Sequence, residues 1–284
     1  MISDIEIIYG LANRSKNYGI KNTFSDPKSL SLKELYDQNF DGFDGAEAYE
    51  WNKYDLNFFK SFPNSKIFTK IDLLKVDQEE IEKIIVKHSI NRKTYLNGIY
   101  MHNRVSDETL WKYKNLIETV KLKYDIKFGI SIYSQDDIKL ILENEIKVDI
   151  LQLPLNLNNL IDTSELVNNG CHIYGRSIFL QGIYFTNEYQ FFRQKTIDKI
   201  NYQKFILNDL AKKNKMSLGQ FLFSSAIHKA KKNQFKGIII GSTDKKRLIN
   251  YLKNHKKLIK VFNYEEYGYD LVDNVLADPR KWKN

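Results

Sequence analysis

The chain has 284 residues, of which 42% are hydrophobic and 28% charged, and its formal net charge is +9. This length accommodates one large α/β barrel or two ordinary domains, and the composition is typical of a soluble globular protein and excludes a disordered chain. The single cysteine, Cys171, excludes an internal disulfide framework and a zinc site built from cysteines.

The chain begins Met1-Ile2-Ser3-Asp4, without a basic segment followed by an apolar one, and no apolar run approaches the roughly 18 residues of a membrane span. We therefore expect a cytoplasmic protein with no membrane partner. The lysines behind the basic charge are scattered beside acidic residues, as is typical of a solvated surface. No aromatic and basic recognition motif accompanies them, so we expect no nucleic-acid partner.

Eight short runs have the hydrophobic and β-branched character of strands. In chain order they cover 5–10, 42–44, 66–70, 96–102, 127–132, 149–154, 171–176 and 237–241. The signals between them are helical. Ser31 with Glu34 matches a capping box, and Ser217 with Gln220 repeats it. We expect helices from Ser31, over 54–61 and 77–88, from Ser106 and Ser134, over 162–169, twice within 177–236, and over 244–253.

The alternation of strands and helices predicts a parallel sheet. Eight units at this length favour a (β/α)8 TIM barrel over a doubly wound sheet. The dinucleotide fingerprint G-x-G-x-x-G, which a Rossmann-like sheet carries after its first strand, is absent. We expect one domain over 1–284, with a long loop and helix insertion after strand seven. The aromatic loop in that insertion is expected to lie over the mouth of the barrel.

Four polar residues stand at or just beyond the ends of three successive strands. Asp44 ends the second run and Tyr49 follows it by five residues, whereas Lys70 and His102 end the third and fourth runs. In a closed parallel barrel these ends share the face that carries active sites. Each residue taken singly has an ordinary structural explanation, such as a helix cap or a surface charge. Together they are the residue types that a carbonyl reductase requires.

The chemistry of these side chains is complementary. Tyrosine has a pKa of about 10, so it is a weak proton donor at neutral pH, but a nearby ammonium favours its phenolate. Lys70 would therefore activate Tyr49, with Asp44 holding the lysine in place. His102 would donate a hydrogen bond that orients the carbonyl.

Asp44-x-Ala46-x-x-Tyr49, Lys70 and His102 resemble the catalytic tetrad of the aldo-keto reductases. The resemblance continues in order along nearly the whole chain, through Gly129-Ile130-Ser131, Gln152-Leu153-Pro154-Leu155-Asn156, the stretch 176–182, and Gly241-Ser242 with Arg247. It implies a metal-free, NADPH-dependent oxidoreductase that reduces an aldehyde or ketone to an alcohol, with Tyr49 as proton donor. It also implies a set of residues that bind NADPH/NADP+: Ser131, Gln152, Arg176, Ser177, Gly241, Ser242 and Arg247.

Several positions depart from the pattern that is common in the family. In this chain, Gly45 stands where the family commonly has threonine, Glu50 where it has glycine, and Ile132 where it has asparagine. Arg176 stands in place of a stacking aromatic residue, Gly241 in place of lysine and Tyr251 in place of asparagine. Glu50 places a carboxylate beside the tyrosine. At Arg176, a guanidinium plane can stack on a ring as an aromatic side chain does. It also adds a positive charge near the nicotinamide or near a substrate anion. Arg247 is left as the main phosphate partner.

Three functions are open alternatives to reduction. The same barrel could act as a dehydrogenase, as an epimerase with retained cofactor, or as a catalytically reduced NADP-binding regulatory protein. The partner in each case is a small molecule, sugar-like or anionic in the case of the reductase. The assembly would be a monomer or homodimer, and the substrate is not readable from the sequence.

Overall fold

The computed structural model describes residues 5–12, 31–37, 40–49, 53–62, 64–90, 93–189, 192–242, 246–252, 271, 273 and 275–282. Its centre is a closed barrel of parallel strands, each hydrogen-bonded to its neighbours in the order β1-β8-β7-β6-β5-β4-β3-β2. The strands are β1 Glu6–Gly10, β2 Gly42–Asp44, β3 Lys66–Ile71, β4 Leu96–Met101, β5 Lys127–Ser131, β6 Ile150–Pro154, β7 His172–Arg176 and β8 Gly237–Ile240. The predicted (β/α)8 barrel is confirmed.

Helices follow the strands and cover the barrel. They are α1 Leu32–Asp37, α2 Lys53–Ser61, α3 Gln78–Lys87, α4 Asp107–Lys121, α5 Gln135–Glu143, α6 Ser164–Asn168, α7 Gln194–Lys213 and α8 Leu218–Lys232. A further helical segment covers 246–252. Capping boxes begin five of these helices, at Ser31, Asp77, Ser106, Ser134 and Ser217. These caps satisfy amides that a first helical turn leaves without partners.

The barrel interior is filled by large side chains rather than left as a pore. One cluster consists of Ile8, Phe68, Tyr100, Ile150, Tyr174 and Ile239, contributed by β1, β3, β4, β6, β7 and β8. Phe68 and Tyr174 contact each other across it, with ring centroids 5.1 Å apart. The close packing of this plug, together with the apolar layer between strands and helices, fixes the strand ends relative to one another.

The insertion after β7 forms a second apolar cluster. A 3-10 turn, Leu180–Phe185, packs with α7 and α8 against the C-terminal segment, where Leu276 and Trp282 are buried. The Trp282 indole donates to the Leu276 carbonyl at 3.1 Å. The aromatic loop was expected over the barrel mouth; its buried residues Ile183 and Tyr184 belong to this second cluster.

A short antiparallel hairpin between β3 and β4, Ser89–Ile90 with Lys93–Thr94, was not predicted. Among the described residues, no helix is both long enough and apolar enough to cross a membrane.

Candidate active site

The ends of β2, β3 and β4 bring the predicted tetrad to one face of the barrel. These strands are neighbours in the closed sheet, with Asp44 opposite Phe68 and Lys70 opposite Tyr100. Asp44 is the last residue of β2, and Lys70 lies one residue before the end of β3. His102 directly follows β4, and its amide donates to the Ile71 carbonyl at 2.8 Å. The parallel register is therefore what places these side chains together.

Asp44 and Lys70 form a buried ion pair, exposed by only 5% and 4%. The Lys70 Nζ donates to Asp44 Oδ2 and, at 3.0 Å, to the Gly45 carbonyl. The Gln152 amide donates to the other carboxylate oxygen of Asp44 at 2.6 Å. Burial lowers the pKa of Lys70, and the Asp44 carboxylate opposes that shift. The aspartate thus opposes the loss of the lysine's charge that burial alone favours.

Tyr49 lies on a 3-10 turn, Glu47–Tyr49, which leaves the end of β2. The turn is held against β3 because the Gly45 amide donates to the Phe68 carbonyl at 2.9 Å. Tyr49 is half-buried, and its amide donates to the Ala46 carbonyl at 2.8 Å. Glu50, predicted to perturb the tyrosine, lies outside the described residues.

Glu47 ties this turn to its surroundings, a role that the sequence analysis missed. Its carboxylate accepts from Thr69 Oγ1 at 3.0 Å and from Lys87 Nζ at 3.0 Å, and it lies 3.7 Å from His88 Nε2. Burial alone would raise the pKa of Glu47, but His88 and Lys87 lower it to about 2. The only available signal was a carboxylate between Ala46 and Tyr49 in the motif.

His102 remains neutral near physiological pH, although solvent reaches the residue at the barrel mouth. Loss of hydration around the ring, followed by the charges of Lys70 and Arg176, lowers the pKa of His102 to about 4. A neutral imidazole still carries one N–H donor. It can therefore donate to a carbonyl oxygen without adding a third positive charge.

A second tyrosine approaches Lys70. The Tyr100 ring centroid lies 6.0 Å from Lys70 Nζ inside the barrel. Burial raises the pKa of Tyr100 well above its usual value, and the residue is fully buried. Tyr100 is therefore inaccessible to a ligand, whereas Tyr49 is not.

Arg176, at the end of β7, is engaged with the end of β5. Its Nη2 donates to Ser131 Oγ at 3.2 Å and to the Ile132 carbonyl at 2.8 Å, and its Nη1 donates to Ser177 Oγ at 3.4 Å. Its guanidinium carbon lies 4.1 Å from the centroid of the Tyr133 ring. The structure thus joins three predicted cofactor residues, Arg176, Ser131 and Ser177, in one cluster.

The predicted phosphate-binding residues lie after β8. Gly241 and Ser242 follow the strand, and the Ser242 carbonyl accepts from the Tyr9 hydroxyl at 3.3 Å. Arg247 is exposed on the segment 246–252, with its guanidinium carbon 5.7 Å from the Phe185 ring centroid. Tyr251, on the same segment, is a core residue that stacks on Phe223 at 5.6 Å.

A large cleft lies at the opposite end of the barrel. Its volume is about 1180 Å³, and its lining includes Leu96, Asp149 and Cys171, which begin or precede strands. Since the residues with reductase chemistry lie at the other ends of these strands, the candidate active site is assigned there and not to this cleft.

Comparisons with known proteins identify the architecture. No family model matches the chain, and no curated protein matches it. Among solved structures, an aldo-keto reductase from Brucella melitensis is 14% identical with a TM-score of 0.58, covering 90% of this chain and 93% of that one. The aldo-keto reductase AKR11C1 from Bacillus halodurans in its apo form is 12% identical with a TM-score of 0.61, covering 88% of each chain. A Gox0644 mutant in complex with NADPH is 12% identical with a TM-score of 0.57, covering 92% and 90%.

The chain has the aldo-keto reductase fold.

The predicted resemblance is thereby confirmed at the level of fold. Within this aldo-keto reductase fold, the residues that the sequence analysis did not find are those defined by tertiary contacts. They are Glu47 beside the tyrosine turn, Tyr133 beneath Arg176, and Arg280, whose guanidinium carbon lies 3.5 Å from the Tyr133 ring centroid. No motif marks Arg280, because it comes from a C-terminal segment far from the strand ends in sequence.

Proposed function

We propose that this protein is an NADP(H)-dependent oxidoreductase that reduces a small-molecule aldehyde or ketone to an alcohol. The observation that carries the proposal is the buried Asp44–Lys70 pair at the mouth of an aldo-keto reductase barrel. A buried ion pair is a weak contributor to stability, because desolvation offsets its attraction. Its position beside the Tyr49 turn is therefore better explained by chemistry than by folding.

Tyr49 is the proposed proton donor. Lys70 supplies a positive charge that favours the phenolate, so the phenol gives up its proton more readily to a carbonyl oxygen. Asp44 and the Gly45 carbonyl hold the ammonium in place. His102 is proposed to donate its N–H to the same carbonyl oxygen and to fix its orientation.

The cofactor proposal rests on the chemistry of the remaining strand-end residues. Ser242 and Arg247 provide a hydroxyl and a guanidinium suited to a 2′-phosphate, and Ser131 and Gln152 would hold the carboxamide. Gln152 is fully buried and its amide donates to Asp44, so of these residues it has the weakest structural support as a carboxamide contact, whereas Ser242 and Arg247 are solvent-accessible. When bound, NADPH supplies the hydride.

We also propose a cytoplasmic location.

The proposal is tested by combining a binding and a turnover measurement. Fluorescence titration should give tight NADPH binding to the wild-type protein and to Tyr49→Phe, and weaker binding to Arg247→Ala, which loses the phosphate partner. Reduction across a panel of aldehydes and ketones should fall by about 100-fold or more in Tyr49→Phe, because the proton donor is gone. Full activity of Tyr49→Phe would remove the tyrosine from this role.

A cofactor-binding regulatory protein without turnover is the second candidate. It is favoured because both residues predicted to bind the carboxamide already hydrogen-bond to other side chains. Ser131 accepts from Arg176, and Gln152 donates to Asp44. NADPH binding without reduction of any panel member would support this candidate. Measurable reduction that depends on Tyr49 would exclude it.

A further inference from the structure

The half-buried guanidinium of Arg176 is held at the barrel mouth by neutral groups. The Ser131 and Ser177 hydroxyls, the Ile132 carbonyl and the face of the Tyr133 ring are its partners. No carboxylate of the described residues lies within ion-pair distance of it. A partly desolvated charge without a counter-ion is costly, and such a charge usually persists where a ligand completes it.

Two nearby cations, Lys70 and Arg280, each have a carboxylate partner, and in this respect they differ from Arg176. Lys70 is neutralised by Asp44. Arg280 approaches the same Tyr133 ring, but its guanidinium is paired with Asp278, with Nη2 2.8 Å from Oδ2 and Nε 3.0 Å from Oδ1. Among the described residues, the charge of Arg176 therefore has no carboxylate partner, unlike those of Lys70 and Arg280. The positive charge of Arg176 also affects two residues of the predicted tetrad, because it lowers the pKa of Lys70 and of His102.

The hydrogen-bonding capacity of Arg176 is also incomplete. A guanidinium carries five N–H donors in a planar fork, and three hydrogen bonds from Arg176 are present. The planar fork matches the oxygen pairs of carboxylates and phosphates. Stacking on Tyr133 fixes the plane in advance, which reduces the ordering that an incoming anion would require.

We propose that Arg176 is a substrate-binding residue that recognises an oxyanion, a carboxylate or a phosphate, on the carbonyl substrate. This inference rests on the proposed reductase function, and it names the substrate class of the same site. The substrate would place its carbonyl at Tyr49 and His102 and its anionic group at Arg176. A neutral substrate would leave the guanidinium without a counter-ion.

The test compares two anionic aldehydes with a neutral amide that has nearly the shape of the carboxylate probe. The probes are 4-carboxybenzaldehyde, 4-formylphenyl phosphate and the neutral isostere 4-carbamoylbenzaldehyde, each reduced at saturating NADPH. The wild-type enzyme should prefer at least one anionic aldehyde by about 10-fold or more in kcat/KM, mainly through KM, and the preferred anion distinguishes carboxylate from phosphate. Arg176→Gln should abolish this preference, and Arg176→Lys should retain part of it because the charge remains without the fork.

Arg280→Gln is the matched control. It removes a guanidinium from the same tyrosine ring, but one that Asp278 already neutralises, so the anionic preference should persist. Equal use of charged and neutral aldehydes by the wild-type enzyme would overturn the inference while leaving the reductase function intact. Loss of the preference in Arg280→Gln to the same extent as in Arg176→Gln would also overturn it, because a general effect of mouth charge would then suffice.

A binding measurement separates this inference from the proposed function. Isothermal titration with the alcohols 4-carboxybenzyl alcohol, 4-hydroxymethylphenyl phosphate and 4-carbamoylbenzyl alcohol requires no turnover. Tighter binding of at least one anionic alcohol to the wild-type protein, lost in Arg176→Gln, supports the anion site even if no aldehyde is reduced. Equal binding of the charged and neutral alcohols counts against it. A purely structural Arg176 would lower the melting temperature on substitution without changing either ratio.

Discussion

His102 is the residue of the candidate site whose protonation state decides which hydrogen bond it can offer. Desolvation and the charges of Lys70 and Arg176 lower its pKa to about 4, below the ordinary value of about 6.5. The imidazole is therefore neutral throughout the range in which an unperturbed histidine would titrate. In the proposed mechanism it therefore acts as an oriented donor rather than as an acid.

This protonation state is measurable by NMR. The His102 imidazole should stay neutral from about pH 8 down to about pH 5, and Arg176→Gln should raise its pKa by removing one nearby positive charge. The chain has five histidines, so His102→Gln identifies the resonance. If His102 in the wild-type protein titrated with a midpoint of about 6.5, the result would contradict the inferred desolvated and positively charged environment.

Individual contacts mark the limit of what the sequence could predict. Asp44, Lys70 and His102 were identifiable because residue type and strand end coincide. The pairing of Asp44 with Lys70 was predicted and is observed, but the second partner of Asp44 was not predicted, because Gln152 reaches it from β6 across the barrel. The same holds for Tyr251, which replaces an asparagine that is common in the family and lies in the core. Its hydroxyl would lie 1.8 Å from a Cβ at Gly219, so the side chain is packed against a glycine. Contacts of this kind depend on tertiary packing, which no local pattern contains.

At the scale of elements, the Glu47–Tyr49 turn is positioned by the next strand in the chain, β3, and by the helix that follows that strand, α3. Glu47 accepts hydrogen bonds from Thr69 on β3 and from Lys87 at the end of α3. The carboxylate is 22% exposed, so its interactions are partly shielded from solvent. We infer that Glu47 is a positioning residue for the turn that carries Tyr49.

Replacing Glu47 with glutamine tests this arrangement. Loss of the charge should lower the free energy of unfolding by about 1–3 kcal/mol, since Lys87 and His88 lose their carboxylate. It should also lower kcat more than it changes KM, because the tyrosine is less well placed. The matched control is Glu79→Gln on α3, whose ion pair with Lys83 is exposed and should contribute less than about 0.5 kcal/mol. A Glu47→Gln variant with unchanged kcat would show the cluster to be structural only.

The elements themselves followed closely from the sequence. β2 begins and ends where the hydrophobic run does, and Ser106 caps α4 as its position before an apolar stripe predicted. The Ser89–Ile90 hairpin did not follow, because two-residue strands are too short to show a period of two. Long periodic segments carry their own evidence, whereas short pairings depend on the elements around them.

At the scale of the whole molecule, the alternation of strands and helices was sufficient to predict a closed barrel. The second apolar cluster was not predictable in detail. Trp282 comes from the C-terminal end and packs against Phe192, with ring centroids 5.6 Å apart. This contact joins the insertion after β7 to the C-terminal segment, and the polar sequence around Trp282 gives no indication of it.

The two faces of the barrel carry different chemistry. The C-terminal face holds the candidate catalytic residues, and the N-terminal face holds a buried carboxylate that contacts several strands. Glu6 Oε1 lies 2.7 Å from Lys66 Nζ and 3.0 Å from Lys236 Nζ, and Oε2 accepts from the Tyr174 hydroxyl at 3.0 Å. These partners belong to β3, to the residue before β8, and to β7, so one carboxylate on β1 connects four positions around the barrel.

Glu6→Gln should therefore destabilise the fold without changing the chemistry. Burial raises the pKa of Glu6, but Lys66 and Lys236 lower it below its usual value, so the stabilisation is present at neutral pH and is lost as the pH falls below about 4.5. At about pH 7, the loss should be about 2 kcal/mol, less than the roughly 3–5 kcal/mol of a broken, fully buried pair, because both lysines are partly solvated. Urea unfolding should report this loss of stability, and the difference from wild type should shrink in acid.

The control is Glu143→Gln on α5, which removes an exposed pair with Lys139 and should change the free energy of unfolding by less than about 0.5 kcal/mol. Since Glu6 lies at the end of the barrel away from Tyr49, kcat/KM at about 25 °C should match wild type, and a large loss of turnover in folded Glu6→Gln would mean that the two faces are coupled.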